Sequence, residues 1–177
     1  MPIVWRPTSE YVDNSNMYRL MRKHGIQTAE ELIKRSIDDV EWFWNAAAQD
    51  LNIEWFEPYD RVLDTSKGIE WARWYLGGKV NIAHNCLDRH AQRRSGKTAV
   101  IWHGEDGSVK QLTYGALHEE VNRFANGLRS LGVKKGDAVG MYLPMSPQVP
   151  ISMLAVFKLG AICVPIFSVF EIGRAHV

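Results

Sequence analysis

Apolar positions recur at helical spacing through the first fifty residues of the chain. Ser15 and Thr28 stand before two of these stretches, where a side-chain oxygen can accept hydrogen bonds from the free N–H groups of a helix start. Glu31, three residues after Thr28, completes the spacing of a capping box, and Ser36 with Asp39 is a weaker pair of this kind. The pattern predicts helices over residues 15–25, 29–35 and 36–51. In the third we expect one buried stripe, formed by Val40, Phe43, Trp44, Ala47 and Leu51.

Residues 52–80 carry little periodicity, and we expect them to wrap over a larger body. Six of the seven tryptophans lie within the first 74 residues. Such a set could bind a ring or a sugar, but packing of an irregular surface layer is the favoured interpretation.

After about residue 81 the pattern changes to alternating strands and helices. It predicts a helix over residues 81–94, a hairpin from strands 98–103 and 109–112, a helix from Thr113 to Leu131, a strand over 138–143, a helix from Ser146-Pro147 to Lys158 and a strand over 162–167. The last strand is almost wholly apolar, as in a sheet buried on both faces. Strands alternating with helices imply right-handed crossovers and a parallel sheet core.

Composition and charge narrow the class of protein. Hydrophobic residues make up 46% of the chain and charged residues 23%, which is typical of a soluble globular protein, and the net charge of +1 favours neither a nucleic acid nor a membrane as partner. The longest apolar stretch, Val149 to Phe170, is interrupted by prolines and a lysine. The N-terminus lacks the pattern of a signal peptide. We therefore expect a cytoplasmic protein. Cys86 and Cys163 both lie in apolar runs and are expected to be buried thiols.

No motif of the chain completes a catalytic or metal site. Residues 94–98 end like a phosphate loop, but the position of its first glycine holds Ala91, and the segment precedes a strand rather than a helix. No dinucleotide fingerprint occurs, and the histidines do not have metal-ligand spacing. Taken without any resemblance, the residues predict an α/β domain with a helical N-terminal layer.

Two stretches resemble a known family. Residues 112–170 resemble the opening of the AMP-binding domain of adenylate-forming enzymes; the matching elements are Asn122-Arg123, Gly136-Asp137, Pro144, Pro147, Gly160-Ala161 and Pro165. Residues 71–90, with Trp71, Trp74, Gly77-Gly78, Asn81 and Asn85 to Asp88, resemble the N-terminal layer of acetyl-CoA and related short-chain synthetases. The chain thus resembles the N-terminal part of an AMP-forming acyl-CoA synthetase of the acetyl-CoA synthetase type.

The resemblance implies the fold, the domains and the reaction. The fold would be α/β, with a helical N-terminal layer packed on the start of the mostly parallel sheet of the adenylate-forming fold, truncated. Residues 1–88 would form the N-terminal region and residues 89–170 the start of the adenylation domain. The parent enzyme would join a short-chain carboxylate such as acetate to CoA through an acyl-adenylate, using ATP, Mg²⁺ and CoA. A propionyl- or acetoacetyl-type ligase and a non-catalytic binding module remain alternatives.

The resemblance also implies where ligands bind. Phe167, Ser168 and Val169 match the first wall of the family's CoA pocket, although Ser168 and Val169 replace two glycines that are typical of acetyl-CoA synthetases. The residues that perform the chemistry match no position of this chain, so we expect no catalytic or metal residue and an inactive fragment that binds none of these ligands well. Residues 171–177 (EIGRAHV) resemble the translation of a sequencing adapter. We expect them to be an artefact.

Overall fold

A computed structural model describes residue 5 and residues 7–167 of the chain. The chain separates into two compact units, Met1–Lys79 and Val80–Val177. The predicted domain boundary after residue 88 falls nine residues later and stays a prediction.

Four helices form most of the first unit. They are α1 (Ser9–Asp13), α2 (Asn16–Lys23), α3 (Ala29–Asp38) and α4 (Val40–Asp50). The predicted caps of α2 and α3 are confirmed, because Ser15 Oγ accepts from the N–H of Tyr18 and Thr28 Oγ1 from that of Glu31, each at 3.1 Å. The Glu31 carboxylate accepts a hydrogen bond from the backbone N–H of Gln27, the residue before the cap. In a standard capping box it would accept from the N–H of Thr28 itself. Helix α1 was not predicted.

Helix α4 differs from its prediction in its cap and its buried face. Asp39, not Ser36, is the cap, and its carboxylate accepts from the N–H of Trp42 at 2.9 Å. The predicted stripe is wrong, since Trp44 is 44% exposed and Leu51 59%, while Ala46 and Ala48 are buried. The reason is that α4 has neighbours on two sides. Trp42 and Phe43 pack against the apolar cluster of α2 and α3, whereas Trp44 and Asn45 meet the tyrosines of the following strand region.

A short antiparallel pair follows in the segment that showed no periodicity. Its strands are β1 (Arg61–Asp64) and β2 (Arg73–Leu76), in register at Leu63 and Trp74. Tyr75 has a φ of +49°, which a bulky side chain rarely adopts. Its ring lies about 5 Å from those of both Trp55 and Tyr59. The surrounding aromatic rings thus hold a backbone conformation that the local sequence does not favour.

The second unit contains the predicted alternation of helices and strands. A π-helical turn, His84–Asp88, leads into α5 (Arg89–Arg94), then β3 (Thr98–His103), β4 (Val109–Thr113), α6 (Tyr114–Ser130), β5 (Ala138–Leu143), α7 (Gln148–Lys158) and β6 (Ile162–Phe167). Strands β3 and β4 form the predicted antiparallel hairpin. Cys86 is exposed rather than buried, because it lies in the π-helical turn, which directs Ala83 and Leu87 to the core instead.

The core of this unit forms between α6, α7 and the π-helical turn. Leu87, Val121 and Ala155 are each 0% exposed and pack together. Along α6 the buried positions are Leu117, Val121 and Ala125, one per helical turn. Phe124 and Leu131 continue the helical spacing of apolar residues along α6, which predicts that they share this buried face, but they are 41% and 82% exposed. The covered face is therefore narrower than the apolar pattern indicated.

Strands β5 and β6 form a parallel pair with α7 as the connection. It is the one parallel pair among the described residues, so the predicted parallel core is present only as its first β–α–β unit. The prediction that β6 is buried on both faces is wrong. Ile162, Val164 and Ile166 lie on one face and are 41–55% exposed, because α7 packs on the opposite face and buries Met141 there.

Candidate functional site

The carboxyl ends of β5 and β6 meet at one edge of the parallel pair. Leu143, the last residue of β5, is in register with Phe167, the last residue of β6. In open α/β sheets, ligands bind outside the carboxyl ends of the strands. The backbone of Phe167 lies at this edge, and its predicted contact with CoA stays a prediction. Ser168 and Val169 fall outside the described residues, so the predicted CoA wall stays a prediction.

The loop after β5 borders the same edge. It begins at Pro144 and reaches Pro147, immediately before α7. Met145 in this loop is 83% exposed, yet its backbone carbonyl accepts a hydrogen bond from the indole N–H of Trp102 on β3 at 2.8 Å. Sequence analysis missed Trp102, since its pattern indicates only an apolar position in a strand. Forty-three residues separate the two partners.

The tip of the β3–β4 hairpin is closed by its own polar groups. The carboxylate of Asp106 accepts from the N–H of Ser108 at 2.9 Å. The hydrogen bonds from the Ser108 hydroxyl and N–H hold the pKa of Asp106 below its usual range. This aspartate is therefore a turn-stabilising carboxylate and is ill suited to act as a general base near neutral pH.

A charged group ties the π-helical turn to the two long helices. The carboxylate of Asp88 accepts from Lys158 Nζ at 2.8 Å, and His118 Nε2 lies 3.4 Å from the same oxygen. Asn122 contacts the ring of His118 one helical turn further along α6. Asn81 adds a hydrogen bond to the carbonyl of Phe157 at the end of α7. The partners in this group satisfy one another, so the arrangement fixes helix positions rather than presenting a reactive group.

The remaining candidates do not form a reaction centre. The segment from Arg94 to Thr98 joins the end of α5 to the start of β3, so it runs from helix to strand, opposite to a phosphate loop. Over the described ranges, no three or more His, Cys, Asp or Glu side chains come close enough together to hold a metal ion. None of the described helices combines the length and apolarity needed to cross a membrane.

An apolar cavity of about 350 Å³ lies in the first unit among α2, α3 and α4. Leu20, Leu32 and Phe43 form part of its wall. Its acidic residue, Asp50, pairs with Lys23 at 3.7 Å. A pocket with few convergent polar groups gives no orientation to a substrate. We therefore assign no chemistry to it.

Comparison with known proteins defines the class. Residues 87–176 match the family described as AMP-binding enzyme, and residues 29–86 match the acetyl-coenzyme A synthetase N-terminus. The chain belongs to the AMP-binding enzyme family, and within it to the acetyl-CoA synthetase type, as the resemblance indicated.

Individual relatives agree with this assignment. The chain is 45% identical over 164 residues to the acetyl-coenzyme A synthetase of Methanothrix thermoacetophila, covering 92% of this chain and 24% of that protein. It is 42% identical over 173 residues to the enzyme of Methanothrix soehngenii, covering 95% of this chain and 25% of that protein. The chain thus spans about a quarter of the length of the curated relatives it matches.

A solved structure confirms the fold class. The acetoacetyl-CoA synthetase from Streptomyces lividans superposes with a TM-score of 0.86 at 27% identity, covering 94% of this chain and 27% of that chain. The described chain is therefore mixed α/β and has the fold of the adenylate-forming acyl-CoA synthetases.

Proposed function

We propose that the whole protein joins a short-chain carboxylate, acetate or a close analogue, to CoA at the expense of ATP. One observation carries the proposal: the N-terminal match and the AMP-binding match follow each other directly in the chain, and relatives that are 45% and 42% identical to it are named acetyl-coenzyme A synthetase. We infer a cytoplasmic enzyme without a nucleic-acid or membrane partner, which the net charge of +1 supports.

The reaction has two steps. A carboxylate oxygen attacks the α-phosphorus of ATP, the bond from that phosphorus to the bridging oxygen breaks, and pyrophosphate leaves with the electron pair. The CoA sulfur then attacks the acyl carbonyl carbon, the thiol proton is released, and AMP departs. Mg²⁺ would supply charge neutralisation at the phosphates. We propose that another part of the whole protein binds this ion, as the resemblance to the family implies.

Within this scheme the 177 residues supply scaffold and one ligand wall. Residues 1–88 are the N-terminal region and residues 89–170 the start of the adenylation domain, with 171–177 as adapter-derived sequence. The AMP-binding match ends at residue 176, inside that last segment, so resequencing the gene past codon 170 decides its origin.

We assign Phe167, Ser168 and Val169 to the CoA pocket. The support is the end of β6 at the ligand edge and the match of these positions to the family's pattern. Side chains at Ser168 and Val169, where the family has glycine, would hold CoA further from the backbone. Replacing both with glycine in the whole protein should lower the KM for CoA and leave exchange of pyrophosphate into ATP unchanged. An unchanged KM would count against this wall.

The acyl substrate that we propose is acetate. The 45% identity to an acetyl-CoA synthetase favours acetate over the acetoacetate of the solved structure at 27% identity. Acid-dependent exchange of labelled pyrophosphate into ATP by the whole protein, with acetate, propionate and acetoacetate compared, separates these substrates. We expect the highest kcat/KM with acetate.

The same assay separates a ligase from a binding module. A whole protein that binds ATP or CoA without any exchange would be a non-catalytic module, and the ligase proposal would fail. The 177-residue chain alone is expected to show no exchange. Exchange by this chain alone would contradict the scaffold role given to it here.

A further inference from the structure

The loop from Pro144 to Pro147 lies beside the edge at which β5 and β6 end. Leu143 directly precedes the loop and is in register with Phe167. Two of the four loop residues are prolines and lack a backbone N–H, so the loop has few means of its own to fix its conformation. Met145 projects to solvent at 83% exposure. The side chain of Met145 is therefore not buried in a way that would hold this loop.

A hydrogen bond joins the loop to the hairpin. The indole N–H of Trp102 donates to the carbonyl of Met145 at 2.8 Å, which is ordinary geometry for a bond of this type. The hairpin is an antiparallel pair with five residue pairs in register, and so forms a stiffer support than a four-residue loop.

The hairpin in turn fixes the ring of Trp102. Lys110 lies directly opposite Trp102 in the register, with its Nζ 5.5 Å from the ring centroid. Gly104 lies against the ring edge, and a Cβ there would come within 2.7 Å of Cη2 of Trp102. A cation above the ring and a glycine at its edge hold the indole in the orientation from which it reaches Met145.

We propose that Trp102 is a positioning residue for the ligand that binds at the carboxyl edge of β5 and β6. By holding the Met145 carbonyl it keeps the Pro144–Pro147 loop in place beside that edge. The inference rests on the proposed function for the identity of the ligand, CoA, but the hold on the loop does not depend on it. Exposed loops fixed by a rigid scaffold are where binding residues concentrate.

The test compares three variants of the whole protein. Trp102→Phe keeps an aromatic ring and removes the N–H donor. Lys110→Met removes the cation and keeps the donor. Trp71→Phe is the matched control, because Trp71 is 71% exposed and lies in the first unit.

Hydrogen–deuterium exchange of the peptide covering residues 143–149 measures how strongly Trp102 stabilises the conformation of the loop. This peptide contains the N–H of Val149, which donates to the carbonyl of Ser146 at 3.0 Å and reports opening of the loop. We expect exchange about three- to tenfold faster in Trp102→Phe, as for the loss of one hydrogen bond. Lys110→Met should show a smaller increase, because the donor remains but the cation that orients the ring is lost, and Trp71→Phe should show no change. Unchanged exchange in Trp102→Phe would overturn the proposal, whatever the activity of the protein.

Steady-state kinetics then measures the consequence for the ligand. Trp102→Phe should raise the KM for CoA several-fold, with kcat and pyrophosphate exchange close to wild type. If Trp102→Phe speeds hydrogen–deuterium exchange of the peptide but leaves the KM for CoA unchanged, the ligand role of Trp102 is refuted. If the wild type neither exchanges pyrophosphate into ATP nor binds CoA, the proposed function fails and the ligand role of Trp102 fails with it. Hydrogen–deuterium exchange still shows in that case whether Trp102 fixes the loop.

Discussion

Asp88 and Lys158 form an ion pair at 2.8 Å between the π-helical turn and the last residue of α7, 70 positions apart in the chain. The two side chains are only 20% and 26% exposed. His118 approaches the same carboxylate oxygen from α6. Asp88, Lys158 and His118 together link the π-helical turn, α7 and α6 near the point where α7 leads into β6. That strand ends at the candidate ligand edge, so the pair helps to set the strand that carries Phe167.

Replacing Asp88 with Asn should weaken this junction. The amide keeps the shape but removes the charge, so the ammonium of Lys158 is left half-buried without its counter-ion. We expect a loss of about 1.5–3 kcal/mol in the free energy of unfolding, measured by urea denaturation. Glu120→Gln is the control, because its pair with Arg123 is exposed and should change stability by less than about 1 kcal/mol. Equal effects for the two variants would contradict the structural role of Asp88.

Two glycine-to-alanine variants should act in opposite directions. At Gly78 a Cβ would lie 2.7 Å from the ring of Trp55, so the aromatic cluster must shift, at a cost of about 1–3 kcal/mol. Gly127 lies within α6 with no atom within 4 Å of the added carbon. There alanine should stabilise by about 0.5–1 kcal/mol through its helix propensity. Thermal denaturation of both variants checks the signs, and destabilisation by Gly127→Ala would contradict the described path of α6.

The buried aspartate of β1 should remain ionised in acid. The guanidinium of Arg73 donates to Asp64 and, with the N–H and hydroxyl of Ser66, holds the pKa of that carboxyl well below its usual range. A lowered pKa in the folded state stabilises the fold above the usual aspartate value of about 4, and this contribution is lost as the pH falls below it. Titration of the Asp64 carboxyl carbon by NMR should show no midpoint near pH 4. In Arg73→Met the midpoint should move up towards that value, and a wild-type midpoint already near 4 would rule out the contact.

The exposed apolar face of β6 should make the 177-residue chain self-associate. Ile162, Val164 and Ile166 are exposed side by side on a strand whose outer edge has no partner among the described residues. Light scattering should show association that increases with concentration. Val164→Lys, which places a charge at the centre of this face, should reduce it, whereas Ile69→Lys, at an exposed position of the first unit, should not. A monodisperse wild-type chain would disagree with this expectation.

Features whose physical causes lie within a few neighbouring residues are predictable from the amino-acid pattern. Ser15 and Thr28 are predictable as caps because a cap and the N–H group whose hydrogen bond it accepts are three positions apart. The β3–β4 hairpin followed from its turn residues and alternating pattern. The family followed from short motifs at fixed spacing between Leu112 and Phe170, and the family match confirms it. The parallel pairing of β5 and β6 also followed, because a β–α–β unit brings the carboxyl ends of its strands together.

Tertiary structure decided which apolar positions are covered and which distant residues meet. The pattern of α4 did not show that neighbours approach it from two sides, and the pattern of α6 could not show that Phe124 and Leu131 remain uncovered. Strands β1 and β2 have four residues each, too few for a periodic signal, and depend on the rings of Trp55, Tyr59 and Tyr75. The bonds from Trp102 to Met145 and from Lys158 to Asp88 join residues 43 and 70 positions apart. Local propensity is a property of neighbouring residues, whereas burial and long-range bonding depend on which surfaces the folded chain brings together.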